Sequence, residues 1–230
     1  MNGELAASGG SDARSEPDVS GFALPESPVV RRMGVIEYAE AYDAMRAFTA
    51  RRTGDTPDEL WLLEHPPVYT LGQAGKPEHL LCDNGIPVVR VDRGGQVTYH
   101  GPGQVIAYVL LDLRRRGLTV KRVVWLLEQA TLDLLAAHGV AGARRAGAPG
   151  VYVEDAKVAA LGLRVRSGCT YHGLALNVNM DLAPFRDINP CGYAGLAVTQ
   201  LADLGIQLSM ADATDALAIR LAAVLGGDKH

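Results

Sequence analysis

Arg93-Gly94-Gly95-Gln96-Val97-Thr98-Tyr99-His100-Gly101-Pro102-Gly103-Gln104-Val105-Ile106-Ala107-Tyr108-Val109-Leu110-Leu111-Asp112 decides how this chain folds. Residues 96–99 and 105–112 read as strands, with the glycine-rich pieces bending the chain between them. The run 105–111 is the longest apolar stretch and falls far short of the roughly 20 residues that span a bilayer, so it is a buried strand. Four glycines in the first dozen residues leave the backbone open to close approach, beside an Arg, a Thr, a Tyr, a His and a Gln. That mixture reads as the wall of a pocket for an extended small group.

Working outward, residues 60–64 form a buried strand that stops at His65-Pro66-Pro67, because two prolines cannot continue a central ladder. Residues 68–71 resume it. Residues 29–33 and 86–91 add strands before the glycine-rich segment. Residues 150–153, 157–166 and 171–178 add three more after it, the first two joined by a tight Glu154-Asp155 turn. Helical spacing appears in two places before the C-terminal region. Tyr38, Ala41, Tyr42, Met45 and Phe48 mark 37–52. Val120, Val123, Val124, Leu127, Leu134 and Leu135 mark one face of 119–138, with Gly139 at the C-terminal cap position. Ser209-Met210-Ala211-Asp212 reads as a capping box opening a last helix that ends near Gly226-Gly227. Strands outnumber helices between 60 and 178, and helices gather at the ends. The class is therefore α/β, with a mixed, largely antiparallel sheet packed against helices.

At 230 residues the chain fits one large domain, 29–230, preceded by a tail at 1–28 too poor in apolar periodicity to order itself. The tail has no basic region followed by an apolar core, so no signal peptide is expected. The net charge of −4 argues against nucleic acid as a partner. The odd cysteine count, Cys82, Cys169 and Cys191, points to a reducing, cytoplasmic setting. Cys and His are too scattered for a zinc site, and neither GxxxxGK[ST] nor GxGxxG is present. No metal or cofactor is expected.

Three further places carry chemistry: Cys191 between Pro190 and Gly192, Lys157 inside the apolar run 157–163, and the segment His172-Gly173-Leu174-Ala175-Leu176-Asn177. A free thiol is only about 3% thiolate at pH 7. A nearby ammonium favours the thiolate and, once its proton is lent away, becomes a base, so Cys plus Lys is a workable acyl-transfer pair. Structural readings stand beside these. Cys82 and Cys169 read as packing residues. His65, His79 and His138 sit in turn or helix-end contexts, and His100 and His172 lack the i, i+4 partner of a helical metal site. Arg114-Arg115-Arg116 reads as a solvated turn.

Taken in order, RGGQVTYHGPGQ, KVAALGL, HGLALN and PCG resemble the lipoate-protein ligase B family of octanoyl-[acyl-carrier-protein]–protein octanoyltransferases, over about 29–225. The resemblance implies the fold of biotin- and lipoate-protein ligases, with an acyl tunnel. It implies that Cys191 carries an acyl thioester and that Lys157 depresses its pKa. It implies that Arg93, Gly94, Gly95, Gln96, Val97, Thr98, Tyr99, His100, Ala160, Leu161, Gly162, Gly173, Leu174 and Ala175 line the substrate site. The implied donor is octanoyl-acyl carrier protein. The implied acceptors are the lipoyl domains of 2-oxo-acid dehydrogenase complexes and the glycine cleavage H protein. Neither membrane nor nucleic acid takes part, and a monomer is expected. Burying about six methylenes at roughly 0.8 kcal/mol each contributes near 5 kcal/mol, enough to select a medium chain. A thioester donor is already activated, in keeping with the missing phosphate-binding motif. Two alternatives share the pattern: an ATP-dependent lipoate-protein ligase on the same fold, and a non-catalytic fatty-acyl binding module.

Overall fold

A computed structural model describes residues 27–189 and 196–226. Two sheets and three helices make up the described chain. The larger sheet has six strands in the order β1 (Val29–Val35), β2 (Glu59–Glu64), β6 (Gln104–Leu110), β9 (Cys169–Asn177), β8 (Ala156–Arg166), β7 (Gly150–Val153). Only β1 and β2 run parallel; every other neighbouring pair is antiparallel. The smaller sheet places β3 (Val68–Leu71) between β4 (Val88–Arg90) and β5 (Val97–His100).

Period-two alternation sorts the large sheet's side chains into two cores. Leu60, Leu62, Val105, Ala107, Val109, Leu174 and Leu176 face α2 (Val120–Ala137) and α3 (Met210–Gly226). Trp61, Leu63, Ile106, Tyr108, Leu110, Tyr171 and Ala175 face the other way, where Ala41, Met45 and Phe48 of α1 (Tyr38–Arg51) cover part of that face. The helix ends follow local chemistry. Thr119 accepts the Arg122 N–H at 3.2 Å, Gly139 takes φ +74° just past α2, and Ser209 accepts the Asp212 N–H at 3.1 Å.

Some expectations need correction. Residues 68–71 do not resume β2. The prolines break that ladder, and β3 leaves to pair with β4 in parallel and β5 in antiparallel fashion. Val120, in the first turn of α2, is exposed, and Val124 is half-buried. Cys82 is exposed, whereas Cys169 is buried at the start of β9. Of residues assigned to the N-terminal tail, Ser27 and Pro28 are described and Pro28 is buried; Met1 to Glu26 lie outside the described residues. The run 114–116 is a turn in which Arg114 and Arg115 are exposed, but the Arg116 side chain is buried and so departs from the solvated reading. Buried Asp58 accepts from Arg52, Arg115 and Arg116, and Arg116 also reaches the Leu225 carbonyl at 2.6 Å. Arg115 and Arg116 thus tie the ends of α1, β6 and α3 to one carboxylate. No helix among the described residues is long and apolar enough to cross a membrane.

Candidate active site

Cross-strand pairing on the α1 side of the large sheet sets small residues beside large ones. One row reads Tyr108–Gly173–Gly162 and the next Ile106–Ala175–Ala160, across β6, β9 and β8. The Gly and Ala positions leave a trough between Tyr108 and Ile106 on one flank and the edge of β8 on the other. The glycine-rich segment roofs it: Gly94 donates its N–H to the Leu163 carbonyl at 3.0 Å, pinning the loop onto β8. A Cβ on Gly162 would meet the Gly94 carbonyl oxygen at 3.1 Å, so glycine permits this crossing. Arg93 anchors the roof from within, donating to the Thr70 carbonyl and Oγ1, both at 2.8 Å, and to the Gly94 carbonyl at 3.0 Å. The cavity opens to solvent at its mouth and, with that solvent counted, spans about 800 Å³.

Two backbone irregularities turn polar side chains into this cavity. Val151 pairs with Ala159 while Tyr152 pairs with Lys157, which leaves Val158 as an extra residue in β8. Val158 and Ala159 both pack into the helix-side core, and the bulge resets the alternation so that Lys157 lines the cavity. In β9, alternation would send His172 to the helix side with Leu174 and Leu176. Instead it takes φ +60°, stacks on Tyr171 at 5.1 Å, and lines the cavity beside Gly173. A left-handed conformation in the middle of a strand is costly for a side-chain-bearing residue, and such strain gathers at functional sites.

Lys157 and His172 stand at opposite ends of the cavity. Lys157 is buried, its Nζ donating to the Pro149 carbonyl at 3.3 Å and lying 5.1 Å from the Tyr152 ring centroid. Its backbone is clasped by the segment after residue 195: Lys157 N–H donates to Ala197 at 2.8 Å, and Thr199 N–H donates to the Lys157 carbonyl at 3.0 Å. Leu196, Val198, Asn177 and Phe185 line the cavity with it. From Lys157 to Gly162 is five residues, roughly 13–16 Å along a bulged strand.

Tyr38, His100, Tyr108 and His172 line the far end, and His65 stands behind Tyr108. His65 donates through Nδ1 to the Ile36 carbonyl and accepts the Tyr108 hydroxyl at Nε2, both at 2.7 Å. His100 donates through Nδ1 to Gln104 Oε1 at 2.8 Å and stacks on Tyr38. Burial pulls His65 down to about 4. Burial, with His65 nearby, pulls His100 down to about 3. Burial also pulls His172 down to about 4, against an opposing hydrogen bond and charge from Asp92 at 3.2 Å. All three rings are neutral at pH 7. Asp92 is pushed up by burial, but hydrogen bonds from Tyr171, His172 and Tyr42 outweigh that and hold its pKa below the usual carboxylate range. Among the described residues, no cluster of three or more His, Cys, Asp or Glu side chains could hold a metal ion.

Residues 37–222 match the lipoyl protein ligase A/B catalytic domain family. The chain is 62% identical over 198 residues to an octanoyltransferase of Aromatoleum aromaticum, covering 86% of each. It is 63% identical over 206 residues to an octanoyltransferase of Thiobacillus denitrificans, covering 90% of this chain and 91% of that one. The chain belongs to the octanoyltransferases of this family. Its fold is similar to that of lipoate-protein ligase A bound with ATP, with a TM-score of 0.71 at 14% identity over 86% of this chain and 85% of that one. It also resembles a biotin protein ligase from Aquifex aeolicus, with a TM-score of 0.56 at 12% identity over 86% and 70%.

For this octanoyltransferase-family chain, most of the residues singled out in the sequence meet in one place. Arg93, Gly95, Gln96, Val97, Thr98, His100, Lys157, Ala160, Leu161, Gly162, Gly173, Leu174 and Ala175 all line the cavity. Gly94 and Tyr99 do not. Gly94 spends its backbone on β8, and strand alternation turns Tyr99 away to pack on Tyr69 and Phe185. Cys191 lies outside the described residues. In the sequence Tyr38 and Tyr108 are marked only as core positions. Their spacing is that of ordinary helix and strand interiors, and nothing local marks them as the end of a cavity.

Proposed function

We propose that the protein moves an octanoyl group from the thioester of an acyl carrier protein to a lysine ε-amine of a lipoyl domain, by way of an acyl thioester on Cys191. The observation that carries this reading is the trough of Ala160, Gly162, Gly173 and Ala175 leading away from buried Lys157, in a chain of the octanoyltransferase family. Seven C–C bonds of about 1.5 Å, laid in zigzag, span roughly 9 Å, which the length from Lys157 to Gly162 accommodates.

In the first half-reaction the Cys191 thiolate attacks the donor carbonyl. The carrier's C–S bond breaks, and the departing sulfur takes up a proton from Lys157. In the second, the acceptor amine attacks the acyl-enzyme as Lys157 takes the proton that nitrogen sheds. The amide C–N bond forms, and Cys191 leaves as thiolate. Among the described residues, Lys157 is the ionisable side chain in the wall at the end of the cavity shared with Leu196 and Val198.

Incubation with octanoyl-acyl carrier protein, followed by intact-mass measurement, should show one octanoyl group added, and peptide mapping should place it on Cys191. Turnover needs no ATP, which separates this reading from an adenylating ligase. Lys157→Ala should lower transfer about 10²–10⁴-fold, the usual span for losing a general acid–base group. Transfer at the unaltered rate by a Cys191→Ser variant would overturn the thioester route.

A further inference from the structure

The lysine end of the cavity is built on one peptide group. Lys157 Nζ donates to the Pro149 carbonyl at 3.3 Å, and the N–H of that same peptide, on Gly150, donates to Glu128 Oε1 at 3.0 Å. A peptide unit is planar and trans, so its C=O and N–H point in opposite directions, and holding one end aims the other. Glu128, from α2, thus grips one side of the Pro149–Gly150 peptide, and the ammonium stands on its cavity side. Gly150 serves the same arrangement. It takes φ +143°, and a Cβ there would meet the Ala159 carbonyl oxygen at 2.7 Å and Lys157 Cε at 3.1 Å. Glycine therefore lets the lysine stem lie close against β7.

Glu128 is 6% exposed, and burying a carboxylate is unfavourable unless its oxygens are met. Here each oxygen has a different task. Oε2 accepts from Arg144 Nε at 3.1 Å, while Oε1 takes the Gly150 N–H. Arg144 is itself fixed by the Trp125 carbonyl at 3.1 Å, by Gln129 Oε1 at 2.8 Å, and by stacking on the Trp125 ring. A carboxylate so anchored polarises the peptide it faces and makes the carbonyl at the other end a stronger acceptor for the ammonium. We propose that Glu128 is a positioning residue for acyl transfer, holding Lys157 at the reacting end of the cavity through the Pro149–Gly150 peptide. This rests on the acyl-transfer role given to Lys157 above.

A bare structural tie between α2 and β7 would matter equally whatever side chain stands at position 157, whereas a positioning role needs the lysine. The test is a double-mutant cycle read as single-turnover octanoyl transfer from the carrier protein, below the Tm of every variant. Glu128→Leu should lower transfer about 10–10²-fold, the cost of a reacting group displaced by about an ångström. In a Lys157→Ala background the same substitution should change the remaining rate by less than about twofold. Glu128→Gln keeps an acceptor for the Gly150 N–H but loses the charge, and should cost about threefold with Lys157 present and nothing without it. Equal losses in both backgrounds, or no loss in either, would overturn the proposal. Should Glu128→Leu not fold, Glu128→Gln, which keeps the side chain's shape, decides by the same comparison. A Lys157→Ala protein transferring at the unaltered rate would instead strike the role of Lys157 itself, and this proposal with it.

Discussion

Thr199 is fastened to Lys157 through the backbone, its N–H donating to the Lys157 carbonyl at 3.0 Å, and a side chain from β9 holds Thr199 in place. Asn177 donates to the Thr199 carbonyl at 2.9 Å and accepts from Gln104 at 2.9 Å, while Gln104 accepts from His100. The chain of hydrogen bonds thus runs from His100 to the segment that clasps the lysine. Asn177→Ala breaks it in the middle and leaves the Thr199 carbonyl without its Asn177 donor, about 1–3 kcal/mol for a buried group, while Gln104 keeps its bonds to Tyr99 and His100. We expect kcat/KM for octanoyl transfer to fall tenfold or more. Asn177→Asp, which keeps the acceptor for Gln104 but loses the donor for Thr199, should show a similar loss. Full activity in Asn177→Asp would mean that the clasp on Thr199 is irrelevant to Lys157.

The three neutral histidines make stability depend on mild acid. Their folded pKa values, about 4 for His65 and His172 and about 3 for His100, lie below the unfolded value of 6.5. The unfolded chain therefore binds more protons between pH 6.5 and 4, and stability falls as pH falls through that window. Above pH 6.5 neither state is protonated and the loss vanishes. Each pH unit costs about 1.4 kcal/mol per histidine, so on the order of 6 kcal/mol is lost by pH 5, comparable with the whole stability of an ordinary domain. Thermal melts from pH 7.5 to 4.5 should show Tm dropping steeply below pH 6.5. A flat profile down to pH 5 would show that the rings are not buried neutral.

Asp58 offers a test of the fold apart from the cavity. Arg52, Arg115 and Arg116 converge on it, two of them nearly wholly buried. Removing a buried charge partner costs roughly 3–5 kcal/mol, because the opposite charges stay behind unpaired. For a chain of this size that corresponds to a Tm lower by about 10 °C in Asp58→Asn. Octanoyl transfer measured well below the new Tm should persist, since the cluster lies in the links between α1, β6 and α3 and contributes nothing to the cavity wall.

The strands and helices were legible because each carries a pattern or a stop signal in its own residues: the apolar run 105–111, the helical stripe of α2, the Ser209 cap. Which sheet β3 joins was not, since Pro66 and Pro67 say only that a ladder ends. The glycines and alanines of the cavity were visible as motifs, but their meaning depends on pairing. Gly173 and Gly162 make a trough only because register sets them in one row with Tyr108. Alternation misleads at Lys157 and His172, where a bulge and a positive φ reset it. The burial of Arg116 was not legible in the arginine run, because its partner, Asp58, lies more than fifty residues away in sequence.

Row pairing also predicts how chain length is chosen. Ala160 and Ala175 face each other across β8 and β9, midway between Lys157 and the Gly162–Gly173 row, so a larger side chain there fills the middle of the acyl path. Ala160→Leu should block about two methylenes of an octanoyl chain while leaving the Lys157 end open. At roughly 0.8 kcal/mol for each methylene kept out of the cavity, octanoyl loses about 1.6 kcal/mol relative to hexanoyl, some fifteenfold. The measurement is kcat/KM for hexanoyl and octanoyl carrier protein in the same preparation. An unchanged ratio, with Tm within a few degrees of the unaltered protein, would place the acyl chain somewhere other than along this row.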